Sequence, residues 1–353
     1  MPSISNSSYT FAYWKNGTER KIARYQKTHS VITLVVGGGT AGLAIASRLA
    51  EFASVAVIEA GGLYEQDNGN QSVVPYYGLV MPVLAQTEVY PRQPLVDWDL
   101  VSATQVEAGN RKIHYAQGKT LGGSSALNTM AYLRATHGTY QRWADVVGDQ
   151  SYTFENLLPY FEKSCHFTPP NLEKRNTPDA VPTYDPSVFD NSKGGPVQVS
   201  YGNWVDPTVN ALSRALRDAD LPVSPTGFSS GFLSGYGGWL SSTISPDDAK
   251  RSSSQASYLD QAIEKTGLMI YTRAQATRIL FDSSKKATGV SVSTQGLDYT
   301  ISANKEVIVS AGVFHSPQLL LVSGTSKPLS LDSYVNVSQA LDPSPHSPLT
   351  ASP

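Results

Sequence analysis

Gly37, Gly39 and Gly42 stand at G-x-G-x-x-G spacing, and Glu59 follows at close to the roughly 20-residue interval that a dinucleotide fold places between such glycines and a ribose-binding acid. The first glycine permits a tight turn. The second lets backbone approach a pyrophosphate, and the third lets a helix lie close on a sheet. The elements these residues need are written around them. Ile32–Val36 reads as a buried parallel strand, Thr40–Phe52 as a helix that aims its N–H groups at phosphates, and Val55–Ile58 as a second strand delivering Glu59. The spacing alone fits any glycine-rich loop, but strand, helix and acid agree on a dinucleotide site. NAD and FAD both use such a cradle.

Two further segments carry donors and small residues. Gly118–Asn128, GKTLGGSSALN, leaves backbone exposed and hands over to a small-residue helix start; it also reads as a glycine turn capped by Ser124 or Ser125. Ala311–Gly324, AGVFHSPQLLLVSG, ends a strand at Ala311-Gly312 and starts a helix at Ser316-Pro317. Taken singly it is a strand-to-helix connection.

Other chemistry finds little support. His114, His137, His166 and His315 lack a recognisable partner and read as structural or surface residues, while His29 and His346 fall in ends expected to be disordered. Histidine spacing suits no metal, so none is expected. Cys165 is the only cysteine, which excludes an intrachain disulfide and a cysteine metal cluster; it reads as a buried helix residue. No G-x-S-x-G elbow of a serine hydrolase occurs.

A chain of 353 residues with 40% hydrophobic content and a net charge of −2 is that of a soluble protein large enough for two domains. It lacks the basic surface of a nucleic-acid binder, so a small-molecule substrate is the expected partner. No apolar run nears the roughly 18 residues that span a bilayer, and no membrane partner is expected. The first thirty residues hold no apolar secretion core, which makes a cytoplasmic location the expectation.

Helical faces recur at His137–Val147, Phe154–Cys165, Val209–Ala219 and Ser252–Glu264; strand patterns recur at Pro196–Ser200, Leu268–Tyr271, Ala276–Phe281, Gly289–Ser293 and Val307–Val309. This order implies an α/β fold. A Rossmann-type nucleotide domain over 31–62, 98–145 and 265–324 is interleaved with an incomplete α+β substrate domain over 63–97 and 146–264. Residues 1–30 form an N-terminal extension, and 325–353 a divergent, disordered tail.

In order and spacing, Val35–Gly62, Gly118–Arg134 and Ala311–Gly324 together resemble the glucose–methanol–choline (GMC) family of FAD oxidoreductases. Trp98-Asp99, Gly138 with Trp143, and the run from Arg251-Ser252-Ser253 to Tyr258-Leu259 support it. The resemblance implies FAD rather than NAD. It implies that Gly37, Gly39, Thr40, Ala41, Gly42, Glu59 and Ala60 hold the ADP half. Trp98, Thr120, Leu121, Gly122, Gly123, Ser125, Asn128, Thr129, Met130 and Ala131 would follow the pyrophosphate, ribityl chain and flavin edge. Ala276 would offer its backbone to adenine, with Ala311 packing nearby.

The family pattern continues past Ser-Gly with an aliphatic residue and glycine, whereas this chain reads Gly324-Thr325-Ser326-Lys327. The flavin-facing histidine of the family lies beyond that point, so no residue here is assigned as catalytic, and the chain itself is expected to bind cofactor without turning over alcohols. The activity implied is oxidation of an alcohol by hydride transfer to flavin, in an intracellular dehydrogenase or a secondary-metabolite enzyme. The alternatives are a truncated non-catalytic product and a cyclase using the same scaffold without net redox change.

Overall fold

Ser30–Val36 is the strand on which the nucleotide-binding half is built. The computed structural model describes residues 10–15, 18–24, 30–80, 92–192, 194–236 and 239–325. Six strands pair in the order Gln275–Phe281, Ala287–Thr294, Leu297–Val309, Ser30–Val36, Val55–Ile58 and Met269–Tyr271. The last four run parallel, and the first two add an antiparallel meander.

Side chains alternate between the two faces of a strand, and the apolar run of the central strands therefore fills two cores. Val35 and Val57 pack on one face against Leu43 and Ala46 of the helix Thr40–Leu49, with Ala262 of Asp260–Lys265. Leu34, Val36, Ala56 and Ile58 face the other core, where Leu319 of the helix Gly312–Val322 packs with Ile279, Val290 and Val292. The helices that follow Ser30–Val36 and Leu297–Val309 thus cover opposite faces. Between two such neighbouring parallel strands the chain opens a crevice at their carboxyl ends, where α/β sheets bind ligands.

The chain divides into two units, Met1–Asn128 with Ser254–Pro353, and Thr129–Ser253. This differs from the expected boundaries. Segment 63–97 was expected in the substrate domain, but Tyr64, Val80 and Val96 share a core with Ala126 and Leu127 and so belong to the nucleotide unit. Residues 129–145 fall instead with the second unit.

The second unit contains the helices His137–Val147, Phe154–Ser164 and Pro207–Asp218, and a parallel pair of strands, Cys165–Phe167 and Val197–Val199. Thr136 caps the first helix by accepting the Thr139 N–H, and Gly148 ends it in a left-handed conformation. Cys165 begins a strand rather than ending a helix. It is buried with Phe167, Val199 and Tyr201, and Tyr132 Oη lies 3.4 Å from its sulfur.

The expected extension 1–30 contains two strands, Thr10–Lys15 and Thr18–Arg24, paired as a hairpin. The tail expected to be disordered from 325 lies, after Thr325, outside the described residues, as do His29 and His346. Among the described residues no helix is long and apolar enough to cross a membrane.

Candidate cofactor site

A cleft of about 690 Å³ opens at the crevice between the two central parallel strands. Val36, Ile58 and Val309 reach it from the strand ends, and Gly37, Gly39, Thr40 and Ala41 from the turn that enters the first helix. Gly37 has φ +101°, and a Cβ there would meet Ser310 O at 2.4 Å; the tight turn requires glycine. A Cβ on Gly42 would stand 1.9 Å from Gly37 O, so this glycine permits the helix to pack on the turn and does not line the cleft. Gly39 differs from both. The nearest atom to a Cβ built on it is Gly123 Cα at 3.7 Å, so only glycine's bareness toward the cleft is left to explain its place.

Glu59 sits at the end of its strand, buried in the wall of the cleft. Its Oε2 accepts the Gly38 N–H at 2.8 Å and its Oε1 the Gly61 N–H at 2.9 Å. Burial pushes the carboxyl up to about 7 in spite of these donors and the Lys119 ammonium. Ala60, Ala276 and Ala311 line the same cleft.

Trp98 and Gly123 line it too. Thr120 and Leu121 are fully buried: Thr120 Oγ1 donates to Gly62 O at 2.9 Å, and Leu121 packs in the core under the sheet. These two side chains, with Gly122 and Ser125, support the cleft and do not line it. Asn128 is exposed at the end of the first unit, whereas Thr129, Met130 and Ala131 open the second. Met130 is buried with φ +66°, and its carbonyl accepts the Thr243 N–H.

His315 was read from the sequence as a structural or surface residue. It lines the cleft, stacked on Trp98 with centroids 4.1 Å apart, and its Nδ1 lies 3.4 Å from Gln117 Nε2. Burial and the nearby Lys119 charge lower its pKa to about 4, so the imidazole is neutral at pH 7. Gln117 was also missed, and its buried Oε1 has no partner within the described protein, which leaves it an acceptor for a ligand donor. The signals were present as the residue before Gly118 and the residue before Ser316-Pro317, but only the fold brings them together.

Of the other histidines, His137 pairs with Glu155 at 2.8 Å. His114 is buried with Nε2 at 2.8 Å from Asp97 Oδ2 and 3.4 Å from Asp99 Oδ1. That trio is of metal-ligand type, but the Arg92 guanidinium already sits on Asp99 and supplies a cation, so no metal is assigned there.

The cleft fits a flavin dinucleotide. It joins a helix start with bare backbone, a buried carboxylate suited to a ribose diol, and an aromatic wall with an orphaned acceptor. Comparison with known proteins agrees. The GMC oxidoreductase model matches residues 31–341, past the Gly324 at which the residue pattern stops matching. Glucose methanol choline oxidoreductase atC of Aspergillus terreus is 49% identical over 87% of this chain and 49% of its own length. Patulin synthase of Aspergillus clavatus is 47% identical over 85% of this chain and 47% of its own.

Among solved structures, an FAD-dependent oxidoreductase from Chaetomium thermophilum superposes with a TM-score of 0.71 at 30% identity, covering 83% of this chain and 47% of that one. A fungal aryl-alcohol oxidase gives 0.70 at 26%, covering 84% and 48%. The chain spans about half the length of the curated relatives it matches. It belongs to the GMC oxidoreductase family, and the cofactor of its cleft is FAD.

Proposed function

We propose that, in a protein as long as its relatives, the reaction run on this cleft is oxidation of an alcohol during synthesis of a secondary metabolite. The observation that carries the reading is the convergence of three separate segments, at Gly37–Glu59, Trp98–Gly123 and Ala311–Leu319, on one cleft shaped for a flavin nucleotide. The likeness to an aryl-alcohol oxidase and to patulin synthase supports alcohol as the substrate class and natural-product synthesis as the setting.

When bound, FAD would supply a two-electron acceptor for the hydride of an alcohol carbon, with a base needed for the hydroxyl proton. The residues of this chain hold and orient. The helix start at Gly39-Thr40 offers backbone N–H groups and the positive end of a dipole to the pyrophosphate. Glu59 would accept from the ribose diol, and Trp98 with neutral His315 forms an aromatic wall of the cleft. No residue described here is assigned as the base.

The test uses protein expressed from its own transcript, loaded with FAD and mixed anaerobically with primary, aryl and polyol alcohols. Loss of the visible flavin absorption with one alcohol class is the expected result. A flavin that no alcohol bleaches, in protein that still binds FAD, contradicts alcohol oxidation and favours a non-redox cyclase or a non-catalytic product on the same scaffold.

A further inference from the structure

Ser254 lies outside the glycine-rich segments, yet its side chain joins two of them. It is 4% exposed. Its Oγ stands 3.3 Å from the carbonyl oxygens of both Gly39 and Gly122, and its N–H donates to Ser125 Oγ at 2.9 Å. Ser125 Oγ in turn is 2.5 Å from Gly122 O. Each hydroxyl has a single hydrogen to give. The shorter contact assigns the Ser125 hydrogen to Gly122, and the Ser254 hydroxyl stands equally close to the Gly39 and Gly122 carbonyls, each of which can accept twice; Gly39 O also accepts the Leu43 N–H at 3.1 Å.

A second hydrogen bond on the Gly39 carbonyl, beside that of Leu43, acts on the other end of the same peptide unit. In a planar trans peptide the C=O and the following N–H point in opposite directions, so the Thr40 N–H is turned away from Ser254. Thr40 is the first residue of its helix, where an N–H has no acceptor within the helix, and both Gly39 and Thr40 line the cleft. Ser254 itself immediately precedes a five-residue π-turn, Gln255–Leu259, and its carbonyl accepts the Leu259 N–H at 3.2 Å. Such turns are uncommon and concentrate at functional sites.

We propose that Ser254 is a positioning residue for the cofactor: its hydroxyl bridges the two glycine turns and, with the Leu43 N–H, fixes the Gly39–Thr40 peptide so that the Thr40 N–H meets the pyrophosphate of FAD. This rests on the FAD reading of the cleft. The two glycine turns keep a second tie, since the Gly122 N–H donates to Gly38 O at 2.8 Å, so removal of the Ser254 hydroxyl leaves the fold connected. The role is therefore separable from stability.

The test compares wild-type chain with Ser254→Ala and Ser254→Thr, each prepared without cofactor. FAD affinity is read by flavin fluorescence, the pyrophosphate of bound FAD by phosphorus NMR, and the apo fold by thermal melting. Ser254→Ala is expected to weaken FAD about tenfold, the usual scale for one buried hydrogen bond, and to shift the phosphorus resonances, with apo melting within about 2 °C of wild type. Ser254→Thr, which keeps the hydroxyl, is expected to restore most of the affinity. Unchanged affinity and phosphorus shifts in Ser254→Ala overturn the proposal, as does a loss matched by an equal fall in apo melting that threonine fails to rescue. A wild-type chain that takes up no FAD removes the cofactor reading itself, and is distinguished by failing before any variant is compared.

Discussion

The glycines of the first turn do different work, and substitution separates them. Gly42→Ala places a methyl against the Gly37 carbonyl and is expected to cost about 3 kcal/mol of stability, measured by urea unfolding. Gly39→Val meets open cleft in the apo protein, so unfolding stays near wild type while FAD binding is lost. Near-equal effects of the two on stability would contradict the assignment. Titratable groups in the cleft give a second prediction. The Glu59 carboxyl, raised from its ordinary 4.5 to about 7, binds a proton in the folded state that the unfolded chain has released, so its contribution to stability falls as pH rises from about 4.5 to 7. The size of that fall is about 3 kcal/mol. His315, lowered from 6.5 to about 4, does the reverse: the unfolded chain binds the extra proton, and stability is lost as pH falls through the same window. The two slopes oppose each other. Urea midpoints of the apo chain should therefore vary little between pH 4.5 and 6.5, whereas Glu59→Gln should unmask a rise with pH and His315→Phe a fall. Binding adds a third. A ribose diol that donates to Glu59 favours the ionised carboxylate, so FAD should release close to one proton per chain at pH 6, read by calorimetry in buffers of differing ionisation enthalpy. Binding without proton release would argue against the diol contact.

At the scale of elements, the sequence shows most where one rule decides. His137–Val147 is legible to the residue because a threonine cap opens it and a left-handed glycine closes it. Val55–Ile58 is legible because three of its four residues, Val55, Val57 and Ile58, are β-branched, and all four are buried. Leu297–Val309 shows only its last three residues in the pattern: the rest alternates exposed polar side chains, and its pairing slips between Ala303 and Glu306. The π-turn at Gln255–Leu259 was expected as ordinary helix, since hydrophobic spacing does not separate the two. The helix Gly312–Val322 yields a prediction of its own. Its last turn reaches the edge strand Gln275–Phe281, where Ser323 Oγ accepts the Ile279 N–H at 2.8 Å and donates to Leu319 O. Ser323→Ala orphans a buried N–H and should cost about 1–3 kcal/mol, read as a shifted urea midpoint. An unshifted midpoint would mean that water replaces the hydroxyl there.

For the whole molecule, the α/β class and the nucleotide half were legible because three motifs with one order leave few folds to choose from. The division into units was not. It is set by packing between segments distant in sequence, such as Tyr64 with Ala126, which no local pattern reports. The same limit hid Gln117, Ser254 and His315, whose roles exist only where the chain returns to the cleft.

The most direct measurement of the central claim is a titration of FAD into the purified 353-residue chain, followed by flavin fluorescence, with NAD as competitor. Saturable binding of one FAD per chain, undiminished by excess NAD and abolished by Gly39→Val, is the expected result. Binding of NAD in place of FAD, or FAD uptake that Gly39→Val leaves intact, would contradict it.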